Sequence, residues 1–92
     1  MRFTVQATDI NHGMGLVTRA LQPRMAKPAF EGVLIETLED GVQLTCTNGE
    51  MTIKTTVSAN VAEDGCVLLP AKLLFELLRK LEGEIDIQAE DT

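Results

Sequence analysis

A proline between an apolar run and a leucine-rich one restricts this chain more than any other feature. The stretch is Val67-Leu68-Leu69-Pro70-Ala71-Lys72-Leu73-Leu74-Phe75-Glu76-Leu77-Leu78-Arg79-Lys80-Leu81. Pro70 holds φ near the helical value and lacks an N–H that a first helical turn leaves unpaired anyway. The residues before it read as a short apolar strand. Those from Ala71 onward are strong helix formers, with neither Gly nor a β-branched residue. Leu74, Leu77, Leu78 and Leu81 share one face at helical spacing. Leu73 and Phe75 widen that face beyond what one packing surface needs. Lys72, Arg79 and Lys80 make the remainder basic, and Gly83 suits the left-handed terminating position. The spacing predicts a strand feeding a helix that is apolar on one side and basic on the other.

The rest of the chain supplies strands and one more helix. Residues 2–7 alternate, with Phe3, Val5 and Ala7 on one face of a half-buried strand. Thr8 or Asp9 is suited to cap the helix that follows. Ile10, Met14, Val17 and Leu21 form its apolar stripe. Gly13 and Gly15 lie inside this helix, each costing about 1 kcal/mol against Ala; they mark either close backbone packing or a loosened first half. His12 beside them reads as a surface or packing residue. Pro23 and Pro28 bracket Arg24 and Lys27 in an extended loop. Residues 29–61 read as a three-strand meander turned at Asp40-Gly41 and Asn48-Gly49. A two-residue turn at Asn48-Gly49 predicts Cys46 opposite Met51, Leu44 opposite Ile53 and Val42 opposite Thr55. Thr52, Lys54, Thr56 and Ser58 form the wet face. At Asp40-Gly41, either Glu39 or Leu38 faces Val42. After Gly83, Ile85, Ile87 and Ala89 alternate with polar residues in a last strand.

This order, β-α-β-β-β-β-α-β, predicts an α+β domain with two helices packed on one face of an antiparallel sheet. With 92 residues, there is room for one domain and a modest core. The last strand runs to Thr92 and leaves an unpaired edge, so the chain reads as cut short at that end.

Charge divides by element. The chain carries 8 Lys and Arg against 14 Asp and Glu, net −6, which taken alone argues against a polyanionic partner. Arg19, Arg24, Lys27, Lys72, Arg79 and Lys80, however, fall in residues 8–28 and 70–81, where Asp9 and Glu76 are the only acids. The local field decides attraction. A merely soluble basic surface is the plainer reading; a surface for a polyanion is the functional one. Cys46 and Cys66 show no metal spacing and no CxxC, and read as buried free thiols in a reducing, cytoplasmic compartment. No run approaches the about 20 apolar residues of a membrane span. No nucleophile set, phosphate loop or metal spacing is present. The acid pairs Glu39-Asp40, Glu63-Asp64 and Glu90-Asp91 sit in turns or at the terminus. The pattern predicts a non-enzyme without cofactor or metal.

Four stretches together resemble the N-terminal domain of the bacterial DNA polymerase III β subunit, the replicative sliding clamp. They are the opening Met1-Arg2-Phe3-Thr4-Val5; Arg24 followed by Lys27-Pro28-Ala29-Phe30; Gly41-Val42-Gln43-Leu44-Thr45 with Thr47-Asn48-Gly49-Glu50-Met51; and Leu69-Pro70-Ala71-Lys72-Leu73 with Arg79-Lys80-Leu81. In the third, Asn48-Gly49 stands where the family usually has Asp-Leu. The resemblance implies a clamp-like domain in a homodimeric ring of three domains per subunit, with helices lining the hole and strands forming the rim. It implies double-stranded DNA, bound without sequence preference, as partner, and tethering of the replicative polymerase. It also implies that polymerase and clamp loader bind through domains lying beyond these residues. By match to the family's loop arginine, Arg24 is the first DNA contact. Lys72, Arg79, Lys80 and Arg19 follow on charge and element. Leu73 and Leu81 would lie near the subunit interface, ordinary core being the alternative. The competing reading is a non-catalytic protein-interaction module of clamp-like fold without a DNA role.

Overall fold

A computed structural model describes residues 1–21 and 31–90. Strand β1 (Arg2–Gln6) leads into helix α1 (Ala7–Val17) and a 3-10 turn over Thr18–Ala20. Strands β2 (Gly32–Thr37), β3 (Gly41–Thr47), β4 (Thr52–Ser58), β5 (Asn60–Glu63) and β6 (Cys66–Pro70) follow, then α2 (Ala71–Leu78) and β7 (Glu84–Gln88). The α+β class expected from the residue pattern is the class observed. The strands are divided between two antiparallel sheets, ordered β4-β3-β2-β6 and β5-β1-β7. Seven strands appear among the described residues where the pattern predicted six. The third strand of the expected meander ends at Ser58; Ala59 donates its N–H to the Asp40 carbonyl at 3.3 Å. The chain then crosses to pair with β1 as β5.

The core lies between sheets and helices. Phe3, Ile10, Met14, Val17, Val33, Ile35, Val42, Leu44 and Cys46 are fully buried. The predicted stripe of α1 thus faces inward at Ile10, Met14 and Val17. Gly13 shows why that helix can approach the sheet so closely. A Cβ there would sit 2.8 Å from Val57 Cγ2 and 3.1 Å from Leu44 Cδ1, whereas at Gly15 the nearest atom is Phe75 Cζ at 3.8 Å. Close packing therefore explains Gly13 and does not explain Gly15. Neither Thr8 nor Asp9 caps α1. The helix begins two or three residues earlier, Gln6 occupies the cap position without a side-chain bond, and Ala7 N–H donates to the Gly83 carbonyl at 2.7 Å.

Both hairpins differ from the expected registers. Thr47 faces Thr52, Cys46 faces Ile53, Leu44 faces Thr55 and Val42 faces Val57, so the turn spans Asn48 to Met51. Asn48 drives this. Its side-chain oxygen accepts the N–H groups of Glu50 (2.9 Å) and Met51 (2.7 Å), while Gly49 takes φ 93°. This Asx arrangement replaces the two-residue turn. The displacement is two residues, so every side chain keeps its face; Thr52, Lys54, Thr56 and Ser58 are exposed as expected. At the other hairpin Thr37 faces Val42, in place of Glu39 or Leu38, and Leu38 N–H donates to the Gly41 carbonyl at 2.7 Å.

Helix α2 ends at Leu78, earlier than the spacing predicted, and Gly83 takes φ 74°. Its inward face is Ala71, Leu74, Phe75 and Leu78, while Leu77 and Leu81 are exposed. Of the two free thiols only Cys46 is buried; Cys66 is exposed on the outward face of β6, opposite Glu36.

Candidate nucleic-acid interface

Helices α1 and α2 run antiparallel. The first turn of α1 meets the exit of α2: Ala7 N–H bonds Gly83 O, and the Asn11 amide donates at 2.9 Å to both Ala7 O and Leu78 O. One turn further along α1, Gly15 lies under the Phe75 ring. The 3-10 turn that carries Arg19 continues from the end of α1. Lys72 stands at the start of α2, and Arg79 and Lys80 at its exit. All four are exposed. Lys72 and Arg79 are seven positions apart on α2, about 10 Å at 1.5 Å per residue.

Arg79 has added definition, because its guanidinium lies 5.5 Å from the centre of the Phe75 ring. Cation–π contact of this kind favours one side-chain placement over the many a free arginine samples. The remaining described cations lie elsewhere. Arg2 on β1 donates to Asp86 on β7, at 3.0 Å from Nη2, in the one ion pair among the described residues. That hydrogen bond and the Asp86 charge raise the Arg2 pKa. Lys54 stands on the outer face of β4. Arg24 and Lys27 lie outside the described residues.

Beside Lys72 and Glu76, α2 carries Leu73 and Leu77 one turn apart, and Leu81 follows past the helix end. Leu73 is 57% exposed, Leu77 53% and Leu81 46%. Leu73 and Leu81 are therefore not core, and Leu77 belongs with them. The helical spacing had grouped Leu77 with the buried leucines, because a surplus of apolar positions does not say which ones face the sheet. Asn11 was also missed as a site residue. A short amide inside an apolar-striped helix is a weak helix former, and that was the available signal.

Chemically, this surface offers cations and no reactive constellation. No cluster of three metal-ligating side chains occurs among the described residues. No helix among them is long and apolar enough to cross a membrane. Exposed Lys and Arg at the start and exit of α2 can contact phosphates of a duplex without reading bases.

Known proteins match this chain along its whole length. The family described as DNA polymerase III beta subunit, N-terminal domain, matches residues 1–92. A beta sliding clamp of Synechococcus elongatus is 31% identical over 94 residues, covering 99% of this chain and 25% of the relative. The beta sliding clamp homolog GriR of Streptomyces muensis is 32% identical over 81 residues, covering 88% of this chain and 22% of the relative. The solved sliding clamp of Bartonella birtlesii superposes with TM-score 0.91 at 30% identity, over 98% of this chain and 25% of that one. The beta subunit from DNA polymerase of Streptococcus pyogenes superposes with TM-score 0.93 at 24% identity, over 99% of this chain and 25% of that one, a likeness of fold. The chain spans about a quarter of the length of these relatives.

Proposed function

Because this chain belongs to the family of the DNA polymerase III beta subunit N-terminal domain, we propose that it forms one arc of a ring that encircles duplex DNA and tethers the replicative polymerase. The observation that carries this reading is the exposure of Lys72 at the start of α2 and of Arg79 and Lys80 at its exit, with Arg19 exposed in the turn that follows α1. Twelve of the fourteen acids lie outside residues 8–28 and 70–81. A basic helical lining inside an acidic strand layer attracts a polyanion to the hole and repels it from the rim.

Phosphate contacts from Lys and Arg are sequence-independent and salt-screened. Few of them per domain hold the duplex loosely enough to slide. Retention comes from closure of the ring. In this reading Arg24 is the leading DNA contact, on its match to the family's loop arginine, with Lys72, Arg79, Lys80 and Arg19 as further contacts. Leu73 and Leu81, joined by Leu77, are the exposed leucines that meet a second subunit in the homodimer. The polymerase and the clamp loader bind through other domains of the full-length protein. The domain works as a non-catalytic scaffold in the cytoplasm.

The experiment is retention of the full-length protein on closed circular against linearised duplex, with a salt titration of direct binding. The reading expects retention on circles, loss from linear ends, and weaker salt-sensitive binding in Arg24→Ala. Equal retention on both forms, or binding indifferent to salt, overturns it in favour of a protein-interaction module without a DNA role.

A further inference from the structure

We infer that Asn11 is a positioning residue for the basic exit of α2, fixing the turn that carries Arg79 against α1; this rests on the DNA reading above. Helix α2 ends at Leu78, and Arg79 closes it, its N–H donating to Phe75 O at 3.0 Å. Lys80 and Leu81 tighten into a turn, donating to Leu77 O at 3.2 Å and Leu78 O at 3.1 Å. Two ties to α1 fix how this turn sits against the rest of the domain. Ala7 N–H donates to Gly83 O at 2.7 Å, and Asn11 Nδ2 donates to Leu78 O at 2.9 Å. Between these anchors lie Arg79 through Glu82. The Leu78 carbonyl also accepts Leu81 N–H at 3.1 Å, so both its lone pairs are used and its direction is set. The same Asn11 nitrogen donates to Ala7 O, which fixes the amide on its own helix. Asn11, Ala7, Thr8 and Arg79 border one open cleft of about 490 Å³. Phe75 completes the arrangement by lying under Arg79.

A side chain that merely stabilised the domain would lower DNA affinity, if at all, regardless of what stands at position 79. A positioning role makes the two residues non-additive. The test is a double-mutant cycle in the full-length protein, reading the salt dependence of binding to a short duplex, with thermal unfolding recorded alongside. Arg79→Ala is expected to flatten the log–log salt slope by about 0.9, one phosphate contact. Asn11→Leu, which keeps the side-chain branching and removes the donor, is expected to give the same flattening and to add nothing in the Arg79→Ala background. Asn11→Ala supplies the same readout if the leucine variant folds poorly. An unchanged slope in Asn11→Leu beside a flattened one in Arg79→Ala overturns the inference and leaves the DNA reading standing. Further flattening by Asn11→Leu when Arg79 is already absent also overturns it. An unchanged slope in Arg79→Ala overturns the inference together with Arg79's part in DNA contact.

Discussion

Gly13 and Gly15 lie two residues apart in α1, and replacing each by alanine should move stability in opposite directions. Alanine in a helix interior is favoured over glycine by about 0.8–1.0 kcal/mol. At Gly15 nothing offsets this, because the new Cβ would find its nearest neighbour at 3.8 Å. Gly15→Ala should stabilise by about 1 kcal/mol. At Gly13 the Cβ would lie 2.8 Å from a methyl of Val57 and 3.1 Å from one of Leu44. Val57 is β-branched and stiff at χ1, and both neighbours sit in the sheet, so the helix must lift. Overpacking of this kind costs about 1–3 kcal/mol. After the propensity gain, Gly13→Ala should destabilise by roughly 0–2 kcal/mol. The gap between the two variants is the clash alone, about 1–3 kcal/mol, or a midpoint difference of roughly 1 M in urea. Equilibrium urea unfolding followed by far-UV circular dichroism measures it, with a second probe checking for a single transition. If Gly13→Ala stabilises as much as Gly15→Ala, α1 does not pack on β3 and β4 as described.

Leu78→Ala, at a position 3% exposed, should cost about 2–5 kcal/mol. Leu73→Ala, at one 57% exposed, should change unfolding by less than about 0.5 kcal/mol and instead weaken subunit association, read by analytical ultracentrifugation of the full-length protein. Asn48→Ala removes the acceptor of two turn N–H bonds and should cost about 1–2 kcal/mol in urea unfolding. A thiol reagent at pH 8 should label one cysteine per folded chain, Cys66, and two when unfolded; peptide mapping identifies the site. Burial pushes the Cys46 thiol from 9.0 up to about 11. The unfolded chain therefore releases this proton first as pH rises. Stability due to Cys46 should be intact below pH 9 and lost on going to 11, a decline that Cys46→Ala removes in pH-dependent unfolding.

The residue pattern was sufficient for the α+β class, both helices and the facing of nearly every strand residue. It failed where a count of residues, rather than a parity, was needed. The Asn48 hairpin shows this: registers two residues apart bury the same faces, so only the Asx hydrogen bonds distinguish them. Ala59 shows it again. A continuous alternating run gave no hint that the chain leaves one sheet for the other between Ser58 and Asn60. Along α2, six apolar residues compete for an inward face that holds four. Their exposure depends on where α1 lies, a tertiary fact absent from local spacing. Cys66 was misplaced because apolar strand neighbours indicate burial only when both sheet faces are covered, and the outward face of β6 is open. The segment that carries each of Arg19, Lys72, Arg79 and Lys80 was legible because it depends only on position along the chain; Arg24 and Lys27 lie outside the described residues. The tie from Asn11 to Leu78 was not, since it joins residues 67 positions apart.

The central claim is that the helix pair, and not the strands, meets the duplex. The most direct test compares two charge-removal variants of the full-length protein in the salt dependence of duplex binding. One lacks Arg19, Lys72, Arg79 and Lys80; the other lacks Lys54, which stands on the exposed face of β4, opposite the face that packs on α1. The account predicts a slope flattened by about 0.9 for each helical cation that contacts phosphate and an unchanged slope without Lys54. Equal slopes in both variants, or flattening on loss of Lys54 alone, would contradict it.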